Sequence, residues 1–192
     1  MLLNNLLIFT ALGAIGLMLV ASDWRMRVGG LGSLFLIEFI VILQIWPLAL
    51  ASVKVISGWM GIALLSTSMI NAGDQVTKRR ITSEIIFRFL MILLLWIVIL
   101  TIAPSINDWI PIPYTNLFIG LSLLGSGLFF LGLTDNFFEI ILGLLTILVG
   151  FDIIYSSLEG SALVTGIYAS IIILICLLSG YFSYFLQRRR EE

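Results

Sequence analysis

The sequence predicts an all-α integral membrane helical bundle of about seven transmembrane helices, and three observations carry that expectation. Hydrophobic residues make up 60% of the chain and charged residues only 11%, whereas soluble domains carry about a quarter charged. Apolar runs near the about 20 residues that a membrane-spanning helix needs follow one another with short polar breaks. Lysine and arginine gather in alternate breaks, as the positive-inside bias arranges them in a multi-span chain. Spans of this length use up 192 residues, so residues 1–192 read as a single membrane domain with no soluble part large enough for chemistry of its own.

The expected spans are 5–21, 29–46, 48–70, 84–103, 114–133, 137–156 and 161–186. The opening Met1-Leu2-Leu3-Asn4-Asn5 has no basic side chain before the first apolar run, unlike a secretory signal, so that run reads as a retained helix. Ser22-Asp23-Trp24-Arg25-Met26-Arg27 makes the first break. The second is a turn at Trp46-Pro47, where proline disfavours helix at the residue before it. Asn71 to Ser83 is the longest polar stretch, and Pro104 to Thr115 holds three prolines with the interface-seeking aromatics Trp109 and Tyr114. Thr134-Asp135-Asn136 and Ser156 to Gly160 close the series.

Orientation follows from the basic residues in short loops. With the N-terminus outside, Arg25, Arg27, Lys78, Arg79, Arg80, Arg88 and Arg188 to Arg190 all fall on the cytoplasmic side, and only Lys54 lies within a span. Reading 29–70 as one long helix would move the later loops to the wrong face, so the charges favour seven spans and a cytoplasmic C-terminus. There is also an internal echo. Asn5-Leu6-Leu7-Ile8, Gly16-Leu17 and Asp23 are matched in order by Asn116-Leu117-Phe118-Ile119, Gly127-Leu128 and Asp135. The echo suggests two parallel three-helix units, 5–70 and 114–186, joined by a helix at 84–103. Shared apolar composition would produce a similar match, and both explanations stand at this point.

Several function classes drop out. Histidine is absent and the one cysteine, Cys176, sits inside an apolar run, which excludes paired-histidine haem ligation, thiolate iron–sulfur ligation and intrachain disulfides. No nucleotide loop, metal-ligand cluster or nucleophile–base pair occurs in the sequence. No catalytic residue, cofactor, metal or nucleic-acid partner is therefore expected, and the first partner is the lipid bilayer itself.

Ionisable groups inside spans cost about 2.5–3.5 kcal/mol on insertion scales and mark function by default. Glu38, Lys54 and Asp152 are the three. Counting about 1.5 Å per residue, Glu38 should lie about 14 Å from the cytoplasmic end of its span, near mid-bilayer, with Lys54 about 9 Å and Asp152 about 6 Å from the outer ends of theirs. They read as ion-path candidates, as a structural ion pair, or, for Lys54 and Asp152, as groups snorkelling to the outer headgroups. Adjacency of spans favours Glu38 as the partner of Lys54. Arg25, Arg27, Lys78, Arg79, Arg80 and the basic tail read as orientation anchors and headgroup contacts, with partner docking as the alternative. Arg88 and Glu139 each begin a span on the cytoplasmic face and could pair there. Small residues such as Gly58, Gly61, Gly120, Gly125 and Gly127 suit close helix packing.

Several of these features come together in a resemblance. The seven-span layout, Asp23-Trp24-Arg25-Met26-Arg27 after the first span, Ser52-Val53-Lys54-Val55 early in the third, and the run from Asp135-Asn136-Phe137-Phe138 to Leu142-Gly143-Leu144 resemble the membrane E component of hydrogenase-4-type and formate-hydrogenlyase-type complexes. The C-terminal part of that family is similar to the K subunit of complex I and the C subunit of Mrp-type antiporters. The family has a lysine where Lys54 stands, but its carboxylates are not carried over: Leu145 to Leu148 contains none, and Gly166 occupies a position expected to be acidic.

The resemblance implies a non-catalytic subunit of a complex-I-like, hydrogenase-like or Mrp-like assembly in a bacterial or archaeal-type plasma membrane. Such a subunit contributes to, or braces, a proton- or ion-translocating arm beside antiporter-like and K-subunit-like partners, and has no activity alone. A self-contained small transporter built from the two three-helix units, and a purely structural scaffold subunit, are the alternatives.

Overall fold

The computed structural model describes residues 2–71, 82–134 and 136–191. They form seven α-helices: α1 (Leu2–Val20), α2 (Trp24–Leu43), α3 (Leu48–Asn71), α4 (Thr82–Asn107), α5 (Tyr114–Gly132), α6 (Phe137–Leu158) and α7 (Ala162–Glu191). Each contains a stretch long and apolar enough to cross a membrane, and no strand occurs among the described residues. The basic loop residues Lys78, Arg79 and Arg80, and Asp135 of the internal echo, lie outside the described residues.

Helix starts follow from local chemistry. Asp23 and Asn136 cap α2 and α6, their side chains accepting from the backbone N–H of Arg25 at 3.0 Å and of Phe138 at 3.1 Å. Each satisfies one of the donors that a helix N-terminus leaves open. The cap at Asp23 starts α2 at Trp24, five residues before the expected 29. The basic residues Arg25 and Arg27 therefore belong to its first turns and not to a loop. α4 ends beyond expectation, running through Pro104 to Asn107. Proline removes a single N–H, the local loss is tolerated in spanning helices, and the Pro104 carbonyl still accepts from Asp108 at 3.2 Å.

The helices alternate in direction, so the bundle has two distinct ends. At one, the first turns of α2, α4 and α6 meet through Arg27, Arg88 and Glu139. At the other, the α2–α3 turn meets the end of α6, where Trp46 Nε1 donates to the Ser156 carbonyl at 2.9 Å. α2, α5 and α6 are the most enclosed helices. α4 packs mainly on α5 and α1 and exposes Ile86, Phe87, Leu90, Leu94 and Ile97, a face suited to lipid or a neighbouring subunit.

α1 packs against α5, α2 against α6 and α3 against α7. The closest approach is between α5 and α6. A Cβ on Gly150 would stand 2.8 Å from the Gly120 carbonyl, and one on Gly127 2.8 Å from that of Gly143. Only glycine at these positions lets the two backbones come this near, the ordinary use of small residues in membrane packing.

Candidate functional site

Lys54 lies on the second turn of α3, and Asp152 and Ser156 lie one turn apart on the same face of α6. Although α3 packs mainly on α2 and α7, the lysine stem reaches across to α6. Its Nζ donates to Asp152 Oδ2 at 2.5 Å and to Ser156 Oγ at 2.6 Å. Nζ also stands 4.3 Å from the centre of the Trp46 ring and 5.5 Å from that of Tyr168, within cation–π range of both. Lys54 is 1% exposed and Asp152 2%, so both charges are withdrawn from the surface and neither snorkels to the headgroups.

Glu38 completes the cluster from α2. It is fully buried, and Asp152, Lys54 and Tyr168 are the groups acting on it, Asp152 and Tyr168 through side-chain hydrogen-bonding contacts as well as charge. The buried Tyr168 hydroxyl faces Glu38 from α7. Glu38 stands five residues before the end of α2, Lys54 six after the start of α3 and Asp152 six before the end of α6. At about 1.5 Å per residue, all three occupy one level about 8–9 Å from the same end of the bundle. Two expectations are thereby corrected. α2 runs from Trp24 to Leu43 instead of 29–46, so Glu38 lies nearer the end of its helix than its middle. Lys54 pairs with Asp152 and not with Glu38, because its reach, and not the order of spans, selects its partner.

The chemistry available here is proton and charge handling. Three groups able to hold or release a proton share one enclosed level, one ammonium facing two carboxylates. At such spacings, in a low-dielectric interior, the charge on each depends on the charge on the others.

A second cluster closes the opposite end. Arg27 Nη1 meets Glu139 Oε1 at 2.7 Å and its Nε donates to the Ala21 carbonyl at 2.8 Å. Arg88 Nη1 reaches Glu139 Oε2 at 3.3 Å, while its Nη2 meets Glu84 Oε1 at 3.1 Å. The expected Arg88–Glu139 pair is present. Arg27, expected as a headgroup anchor, is buried and holds α2 to α6. Arg25 stays exposed, 5.5 Å from the Trp24 ring centre.

Trp46, Ser156 and Tyr168 were not singled out in the sequence as site residues. The one signal available was that Ser156 follows Asp152 by a helical turn, which puts a hydroxyl on the face of the intramembrane acid. Among the described residues, no three His, Cys, Asp or Glu side chains gather as a metal-ligand set, and Cys176 is buried in α7. No known protein family, curated protein or solved structure matches the chain.

Proposed function

We propose that the chain is a non-catalytic membrane subunit of an ion-translocating assembly of the complex-I-like, hydrogenase-like or Mrp-like kind. Its contribution is the Glu38–Lys54–Asp152 cluster. The observation that carries the reading is Glu38: a third, fully buried ionisable group standing by Asp152 and Tyr168, beside an ammonium–carboxylate pair that already has its partners. A structural pair needs two members, and a third ionisable group is costly unless it takes part in moving charge. The sequence resemblance around Lys54 points the same way, and the antiporter-like and K-subunit-like neighbours it implies would cover the apolar faces of the outer helices.

Gentle detergent extraction and identification of what copurifies tests this. A large antiporter-like subunit in the same particle is the expected result. A lone monomer or homodimer that by itself drives ion flux in liposomes would overturn it in favour of a self-contained transporter.

The orientation that goes with this reading has the N-terminus outside and the end bearing Arg27, Arg88 and Glu139 in the cytoplasm, since the short basic loops belong to that end. Single cysteines introduced at Ser157 and Gln75 should label from opposite sides of the membrane. Labelling of both from one side would contradict it.

A further inference from the structure

We propose that the cleft between the α2–α3 and α6–α7 turns is the aqueous route by which protons reach Lys54, with Trp46 as its barrier. This inference rests on the reading of the cluster as part of an ion path. The cleft has a volume of about 300 Å³ and is lined by Trp46, Pro47, Ser156, Ser157, Glu159 and Gly160 among others. It therefore opens at the end of the bundle nearest the cluster. At about 30 Å³ per molecule in the liquid, it holds on the order of ten waters, and its walls carry enough polar groups to keep them. Glu159 is exposed at this opening and places a carboxylate beside it.

Lys54 does not line the cleft, yet two of its contacts do. Ser156, which accepts from Nζ, and Trp46, whose ring faces Nζ, form the wall between the water-sized space and the ammonium. Each of these two residues touches both the cleft and the ammonium. Trp46 is held shut by its hydrogen bond to the Ser156 carbonyl, and Gly160 lies against the indole, where a Cβ would stand 3.5 Å from Nε1. A tilt of the indole that breaks this one bond brings cleft water to Lys54. In the other direction, toward the Arg27 end, the α2 positions Leu31, Leu34 and Phe35 are all fully buried apolar side chains. The proposed route therefore opens at the Trp46 end of the bundle.

The geometry also selects the species. The route ends on an ammonium, which repels a metal cation, and the contacts at 2.5 and 2.6 Å leave no gap for a desolvated one. A proton needs none. Lys54 hands its proton to the Asp152 carboxylate, giving the free amine and a carboxyl group, and a cleft hydronium reprotonates the amine and is left as water; nothing else is consumed.

The test uses the full chain in membrane vesicles with Cys176→Ala, a single Ser156→Cys, and a small membrane-impermeant thiosulfonate applied to one face at a time. Reaction from the Trp46 face should be slow with Trp46 present. It should rise about tenfold with Trp46→Ala, the factor that about 1.4 kcal/mol of lost closure gives, and by a smaller factor with Trp46→Phe, which keeps a ring but drops the hydrogen bond. Ser157→Cys, on the cleft wall, should react in every background from the Trp46 face alone, and that sidedness reports a folded chain. Equal rates at Ser156→Cys in all three backgrounds, or reaction from the Arg27 face in the folded Trp46→Phe protein, would overturn the proposal. Labelling requires no transport, so the two readings fail separately. A Trp46-gated rate without ion flux in the assembly would retire the ion path alone, and flux without gated labelling would retire the cleft alone.

Discussion

Replacing Lys54 by methionine is expected to destabilise the folded chain by about 3–5 kcal/mol, the usual cost of leaving one member of a buried ion pair without the other. Methionine keeps much of the stem volume and removes the charge, so the loss falls on Asp152, which is 2% exposed and gives up its ammonium partner. The structure names the compensating change. Asp152→Asn added to Lys54→Met removes the orphaned charge and should recover most of the loss, whereas Glu38→Gln added to Lys54→Met should recover little, since Glu38 is not hydrogen-bonded to the lysine. Thermal unfolding of the detergent-solubilised variants reads the difference. Equal rescue by the two second changes would mean that Lys54 is shared evenly between the carboxylates and not paired as observed.

The second large effect is expected at the other end of the bundle. Glu139 serves two guanidinium groups, Arg27 from α2 and Arg88 from α4, each at least nine-tenths buried. Glu139→Ala leaves both without this carboxylate and should also cost about 3–5 kcal/mol. In that variant Arg88 retains Glu84 and the Leu133 carbonyl, at 3.1 and 3.5 Å, whereas Arg27 retains the Ala21 carbonyl, so adding Arg27→Met to Glu139→Ala should recover more of the loss than adding Arg88→Met. The same unfolding series decides this, and the reverse order would place the main tie on α4 instead of α2.

These two clusters show what could be read from the sequence. The seven helices were legible because each is a long apolar run and lipid admits few other structures with satisfied backbones. The three intramembrane ionisable residues were legible because their cost makes them conspicuous. Their pairing was not. Glu38 lies nearer the end of its helix than the sequence boundaries imply, because Arg25 and Arg27 look like loop residues, while the Asp23 cap folds both into α2. Asp152 is 98 residues from Lys54, and hydropathy carries no record of which helices of a bundle meet. Trp46 reads as an interfacial aromatic beside a turn-forming proline, and only the packing of α6 against that turn makes it a neighbour of Lys54. Arg27 was taken as a headgroup contact for a related reason: a basic residue at a helix start has the same sequence signature whether it faces lipid or a buried glutamate.

Glu38 offers the most direct test of the central claim, that the cluster moves charge and does not merely hold helices together. Glu38→Gln keeps the shape and leaves Asp152 and Tyr168 a polar neighbour, so it should change unfolding by no more than about 1 kcal/mol, the net worth of a typical hydrogen bond. The decisive measurement is ion translocation by the intact assembly carrying Glu38→Gln, with assembly verified on the same preparation. The account predicts a fully assembled particle in which coupled translocation is lost. Undiminished translocation by the assembled Glu38→Gln particle would contradict it and leave the cluster a structural tie.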